Sequence, residues 1–425
     1  MSTAEEDSSS DETDSPLVLS GSGSQPVSQP NSVLDRAELL SQLFGTGIEV
    51  HHLNCFYREL HLQAYPELRD FVNTYQSTKL GKRAEEDTLP ESLLAFLLDA
   101  NNQCVTMASK IQEITASPSG KSVKLDVGLY DGNSVETIIT RVSDRGKHVA
   151  SISISSQVGC SLECPYGPAN AFVRDLSATE MIEQVIHASR ELQKDETPHT
   201  IRKVVFMGNG EPLLNYDAVV VSCRFLVEIF KLGRGSITIS TVGITPRIFD
   251  LTRDLPNVIV CLRLYAPTQE LRGSILPVSS RYGLGGILEA LDNHMATSKH
   301  QMAYENHQML SRKRRVMIEY LMVKGKTTTV DCAHELGELC ALRDLIVTLV
   351  PFVRWSKEDS RRCPSVRAIS EFKAIVSSYG VQCSVRLSAG SDIRHSLVMQ
   401  TETQHDSSQE PRKPESDIGE EKSDF

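Results

Sequence analysis

Cys160 and Cys164 stand four positions apart in Ser155-Ser-Gln-Val-Gly-Cys-Ser-Leu-Glu-Cys164, a segment that reads as a loop at the end of a strand. Cysteine acts as a metal ligand or nucleophile through its thiolate, yet a lone pair at this spacing in a reduced chain is by default unligated. Met207-Gly-Asn-Gly-Glu-Pro212 is a second strand end, with glycines at Gly208 and Gly210. There glycine permits a tight turn and Pro212 can open a helix, so a structural reading of Gly208, Gly210, Glu211, Pro212 and Ser240 stands beside a ligand-binding one. Arg312-Lys-Arg-Arg315 is a basic run suited to phosphate contact or to a solvated loop, and Arg361-Arg362 is a second basic pair. Cys363, beside that pair, is the spare thiol outside the regular elements. Cys55, Cys104, Cys223, Cys261, Cys332, Cys340 and Cys383 read as core.

The elements that must carry these residues are visible as periodicities. Leu39, Leu40, Leu43 and Phe44 recur at helical spacing, as do Leu93, Leu94, Leu97 and Leu98. Val123 to Val127 and Val135 to Thr140 have strand character, and Asp131-Gly132-Asn133 between them is a hairpin turn. From Ser151 onward strand and helix alternate. Ser177-Ala-Thr-Glu180 is a capping box that opens a helix running to about Leu192. Strands are predicted at Val204–Met207, Ile237–Ser240, Val258–Leu262, Val316–Met322, Ile346–Val350 and Val381–Leu387. Helices are predicted at Ala218–Lys231, Leu288–Ala296, Ala333–Leu342 and Val366–Tyr379, the last stopped by Gly380. Repeated strand–helix units imply a parallel sheet with right-handed crossovers, and too few units for a closed barrel imply an open one with its site at the strand C-terminal ends.

Taken in order, these segments resemble the radical-SAM rRNA and tRNA adenine carbon-2 methyltransferases, the RlmN/Cfr type. The likeness rests on the Cys160–Cys164 loop, Met207-Gly-Asn-Gly-Glu-Pro-Leu-Leu-Asn-Tyr-Asp217, Ser240-Thr-Val-Gly-Ile-Thr-Pro246, Ala266-Pro-Thr-Gln-Glu-Leu-Arg272, Arg315-Val-Met-Ile-Glu-Tyr320 and Leu349-Val-Pro-Phe352. It extends to Leu43-Phe-Gly45 and Phe56-Tyr-Arg58 and to Tyr379-Gly380, Val385-Arg386 and Ser391-Asp-Ile393, covering roughly residues 36 to 396. The resemblance implies a 4Fe–4S cluster on three cysteine thiolates, with the open iron taking the amino and carboxylate groups of SAM. It also implies two further cysteines, one that carries the methyl group and one that resolves the adduct.

The chain departs from that pattern where the chemistry would lie. Gly167 stands at the third ligand position of CxxxCxxC, Ser153 at that of the resolving cysteine and Leu397 at that of the methyl-carrying one. The loop before Phe172-Val-Arg174 is short by about two residues on the family pattern. Arg263, in Leu262-Arg-Leu-Tyr-Ala266, replaces the family's serine, where it would crowd the SAM sugar or offer a new anion contact. Val353 replaces an asparagine.

The net charge of −11 is uneven, with acidic ends and basic clusters inside, so it does not argue against nucleic acid. No apolar run reaches the ~18 residues of a membrane span, and the Ser- and acid-rich opening does not read as a plain secretory signal, nor is a transit peptide expected. The expected organisation is a disordered tail (1–34), a helical-plus-hairpin accessory domain (35–147), a partial parallel radical-SAM-like barrel (148–397) and a second acidic tail (398–425). The expected function is that of an RlmN-like family protein, catalytically inactive, binding structured RNA (rRNA or tRNA) or ribosome precursors. It would be a cytoplasmic monomer without a membrane partner, with SAM as a candidate ligand and the 4Fe–4S cluster absent. The rival readings are an active methyltransferase with an altered cluster site and a protein-interaction scaffold acting through acidic tails.

Overall fold

The computed structural model describes residues 31–62, 65, 67–78, 88–144, 147–162, 171–305, 316–343, 345–352 and 360–386. The chain opens with four helices, α1 (Arg36–Gln42), α2 (Val50–Leu62), α3 (Leu68–Thr78) and α4 (Glu91–Leu98). Their apolar faces form one core, with Phe56 against Phe71 edge-on at 5.1 Å and Leu53, Leu93 and Leu97 buried beside them. Val33 and Leu34, placed by sequence in the disordered tail, are buried in this core, and Ser32 bridges to Val105. The packed chain therefore starts before the expected boundary. Phe44 does not continue the stripe of α1: the helix ends at Gln42, Gly45 and Gly47 turn the chain through positive φ, and Phe44 is 92% exposed.

One sheet of ten strands follows. β1 (Lys110–Ala116), β2 (Ser122–Gly128), β3 (Ser134–Asp144) and β4 (Lys147–Ile154) pair antiparallel in chain order. A side pair, β5 (Gln157–Val158) and β6 (Arg174–Asp175), lies apart. From β4 the sheet continues in parallel through β7 (Thr200–Phe206), β8 (Ile237–Thr241), β9 (Ile259–Leu264), β10 (Val316–Met322), β11 (Ile346–Pro351) and β12 (Gln382–Val385). The crossovers carry α5 (Ala178–Leu192), α6 (Tyr216–Ile229), α7 (Thr245–Asp254), α9 (Leu284–Glu305), α10 (Val330–Ala341) and α11 (Val366–Ser378), with the short α8 (Gln269–Gly273) ahead of α9. The order runs from β1 to β12 without closing, so the architecture is mixed α/β with a mostly parallel, open sheet. The expected hairpin at Gly132 (φ +85°) is present, but it belongs to the main sheet. The division expected at 147/148 falls after the first residue of β4, which pairs with β3 in the same sheet and shares its core.

The two faces of the parallel strands differ in chemistry. Val204, Phe206, Ile237, Ile239, Val260, Leu262, Ile318, Val347 and Leu349 are buried against helix residues such as Leu226, Leu251, Leu291, Leu336 and Phe372. By the alternation of a strand, the other face carries Ser153, Thr238, Ser240, Cys261, Arg263, Glu319, Thr348 and Ser384. That polar face is where the site must lie. Among the described residues no helix is long and apolar enough to cross a membrane.

α5 joins the helical unit to the sheet. Its capping box is formed, with Ser177 and Glu180 bonding each other's backbone N–H. Met181 and Val185 enter the sheet core, while Ile182 and Ile186 enter the helical core. The polar residues that this buries are bonded: Glu183 accepts from the N–H of Ala108 and Ser109 at 2.8 Å each, and Gln184 bonds both the N–H and the carbonyl of Ser155. Arg174 closes the junction, with Nε on Asp131 of the hairpin turn at 2.6 Å and both terminal nitrogens on Glu180 at 2.8 and 2.9 Å. Burial would raise the Asp131 carboxyl, but the Arg174 and Asn133 hydrogen bonds outweigh it and hold the group down at about 2.

Arg174→Met should therefore lower the unfolding free energy by about 2–4 kcal/mol, since it strands two carboxylates that are largely buried. Because the Asp131 value is depressed below its unfolded ~4, its share of this stability is complete above about pH 5 and lost as pH falls through about 2. Denaturant melts of both proteins at neutral pH and near pH 3 check this; equal midpoints at neutral pH would remove Arg174 from the account.

Candidate functional site

The site is built where β4 and β7 end side by side. Gly208 N–H donates to Ile154 O at 2.8 Å, and the Ser155 hydroxyl accepts from Asn209 N–H at 3.0 Å while donating to Glu136 O at 2.9 Å. A Cβ on Gly208 would lie 2.5 Å from Ser155 N and 2.6 Å from its Cα, so only glycine permits this approach. Gly210 has φ +95°, and a Cβ there would meet the Gln157 side chain at 2.5 Å. Gln157 Oε1 accepts from Glu211 N–H at 3.0 Å. Both glycines are thus needed by the chain's own packing onto residues 155–157.

Glu211 is 2% exposed and fastens the neighbouring strand. Its carboxylate accepts from Leu213 N–H at 3.2 Å and from Val242 N–H at 3.0 Å, just after β8. Burial pushes its carboxyl upward, opposed by these donors, by the Thr241 hydroxyl and by the charge of Arg263. Pro212 does not open α6, which begins at Tyr216; its carbonyl accepts from Asn215 N–H in a turn. Asn215, not picked out by sequence, bonds the carbonyls of Ser156 and Leu176 at 2.8 and 2.7 Å and so pins both flanks of the cysteine loop.

Ser240 does not face an open space. Arg263 Nε donates to its hydroxyl and Nη2 donates to the Met207 carbonyl, both at 3.0 Å. Arg263 is paired in register with Glu319 of β10, whose carboxylate is held by Arg386 at 2.5 Å. One row lower Cys261 is buried, its thiol pushed far up by burial and by Glu319. Two rows below Arg263's level on the same face, Ser153 Oγ and Thr238 Oγ1 are buried with no hydrogen-bond partner among the described residues.

Cys160 is half-buried, follows Gly159 (φ +76°) and bridges to Ala171. Cys164, Gly167, Arg312, Lys313, Arg314, Arg315, Val353 and Leu397 lie outside the described residues. Cys223, Cys261, Cys332 and Cys340 are buried as expected, while Cys55, Cys104 and Cys383 are only partly so and Cys363 is exposed.

The mouth also collects cations that sequence spacing did not group. Lys324 and Lys326 are exposed in the turn after β10, and Arg361 and Arg362 follow β11. The two segments are joined by Lys324 N–H donating to Arg362 O at 2.9 Å, and the Arg361 guanidinium lies 5.1 Å from the Phe352 ring centroid. These residues sit at strand C-terminal ends, whereas Arg312–Arg315 immediately precede β10 in sequence.

No family model matches the chain. It is 31% identical over 267 residues to the probable dual-specificity RNA methyltransferase RlmN of Clostridium novyi, covering 62% of this chain and 71% of that one. It is 31% identical over 268 residues to the dual-specificity RNA methyltransferase RlmN of Marinobacter nauticus, covering 62% and 68%. Over 360 residues it is 27% identical to the probable RlmN of Caldicellulosiruptor saccharolyticus, covering 84% and 92%. Among solved structures, a radical SAM methyltransferase from Sphaerobacter thermophilus superposes with a TM-score of 0.69 at 26% identity, over 85% of this chain and 96% of that one.

Gly208→Ala should destabilise the fold by about 1–3 kcal/mol in the absence of any ligand, because a backbone shift must make room for the methyl group. Thermal melts measure it. An unchanged midpoint would mean that the glycine is not required by the packing of Ser155.

Proposed function

The chain belongs to the RlmN family of radical-SAM RNA methyltransferases, and we propose that it binds structured RNA (rRNA or tRNA) or ribosome precursors without methylating RNA. The family implies SAM and a 4Fe–4S cluster. The residues of this chain do not fit that pair. The cluster loop supplies Cys160 and Cys164 but Gly167 in place of a third thiolate, which would leave two irons without protein ligands. At the position of the resolving cysteine stands Ser153, a buried hydroxyl with no base bonded to it. Such a hydroxyl is not ionised near neutral pH and is a poor nucleophile without a general base. Leu397 offers no nucleophile.

Recognition of RNA by shape and phosphate needs none of these groups. The observation that carries the RNA reading is the set of cations around the mouth: Lys324, Lys326, Arg361 and Arg362 on adjoining turns. Arg312–Arg315 would add an outer contact from the other end of β10. The basic set lies on a chain that is acidic overall, so a local field rather than net charge would hold the phosphates.

Anaerobic reconstitution with iron and sulfide, followed by incubation of RNA with SAM and a reductant, should give neither a stable 4Fe–4S cluster nor 2-methyladenosine. About four irons per chain with cluster absorption, or protein-dependent 2-methyladenosine by mass spectrometry, would establish the active reading instead.

Structured RNA should bind with a steep salt dependence. Alanine at Lys324, Lys326, Arg361 and Arg362, or separately at Arg312–Arg315, should weaken it and lower the log–log slope by about one for each phosphate no longer neutralised. An unchanged slope in both quadruple variants would reject these sites, and no RNA binding by the wild type would favour a protein-interaction scaffold.

A further inference from the structure

The strand-end face of a parallel sheet offers a ligand two kinds of acceptor: carbonyls just past a strand end and hydroxyls on the last inward-facing residues. In this chain one of each is taken. The carbonyl of Met207, behind β7, and the hydroxyl of Ser240, on β8, are both bonded by the guanidinium of Arg263 on β9, at 3.0 Å each. A guanidinium carries donors in a fixed planar fork and no acceptor, so it matches such a pair of oxygens as a bound polar group would. Its seat is secured from both sides. Glu211, whose carboxylate ties β7 to β8, lies near enough for its charge to be felt by Arg263, and Glu319 stands opposite in register on β10. Two rows below it on the same face, Ser153 Oγ and Thr238 Oγ1 are each buried without partners among the described residues, with Val205 between them. A pair of stranded hydroxyls costs about 1–3 kcal/mol each, which an apolar pair in these places would not.

We infer that Arg263 is a built-in occupant of the strand-end pocket: its side chain holds the acceptors that a nucleoside group entering the mouth would use, and it closes the pocket to SAM. The closure is steric, because the long side chain bridges β9 to β7 across the strand-end oxygens. The inference rests on the reading of this chain as a member that has left methyl transfer, but it concerns a different residue from those that remove the chemistry.

Equilibrium dialysis or calorimetric titration with SAM and with S-adenosylhomocysteine, which lacks the sulfonium charge, tests it on the full chain. Wild type should saturate with neither up to millimolar concentration. Arg263→Ser, which frees the Met207 carbonyl and the Ser240 hydroxyl, should bind both at least about tenfold more tightly than wild type. Arg263→Lys keeps charge and length and should stay closed. Arg263→Gln is the fallback if the serine variant melts below the assay temperature; it should show a smaller gain. Saturable micromolar binding of SAM by wild type overturns the inference, as does S-adenosylhomocysteine binding wild type while SAM does not. A folded serine variant with no gain overturns it equally. The two readings fail separately: SAM binding by wild type without 2-methyladenosine sinks the closed pocket alone, and loss of RNA binding leaves the closed pocket standing.

Discussion

A buried carboxylate fixes the mouth of this sheet. Taking Glu211 out of water is costly, and the cost is met because the Leu213 N–H of its own turn and the Val242 N–H just past β8 converge on its oxygens, with the Thr241 hydroxyl and the Arg263 charge beside them. That convergence sets the spacing between the ends of β7 and β8. The spacing in turn places the Met207 carbonyl and the Ser240 hydroxyl where one guanidinium spans both. It also holds Gly208 against Ser155 at a separation no other residue tolerates. The glycines, the carboxylate and the arginine are consequently one packing unit. A motif that reads as ligand-binding in sequence is, in this chain, occupied by the chain itself.

The parallel half of the fold was legible because its strands are buried on the helix side by mostly apolar residues and its helices end in recognisable chemistry. The capping box at Ser177 and the positive-φ Gly380 after α11 sit where sequence put them, and β10 matches Val316–Met322. Other elements left no such mark. β1 is an edge strand that is half-buried at only two positions, so it lacks the alternation that identifies a strand. α7 holds Pro246 in its first turn and a short apolar stripe, too little for periodicity to mark it as a helix. The merging of the hairpin with the parallel sheet depends on pairing between β3 and β4, which local sequence does not encode.

At the site, sequence spacing could flag the changed residue at 263 but not its partners, which lie 23 and 56 positions away. The same holds for Asn215, which reads as an ordinary polar residue before a helix and proves to bind the carbonyls of Ser156 and Leu176. The cations of the mouth escape a reading by spacing for a related reason. Lys324 and Lys326 are isolated in sequence from Arg361 and Arg362, and a backbone hydrogen bond between two loops brings them together.

α5 belongs to two cores at once. Met181 and Val185 are part of one, Ile182 and Ile186 part of the other, and the polar side chains between them bond residues of both. A helix shared in this way leaves no seam along which the amino-terminal helices could peel off without exposing apolar surface of the sheet as well. Unfolding is then a single cooperative event rather than the successive loss of two foldons, and the slowest amide hydrogens to exchange should run through α5 instead of stopping at a domain border.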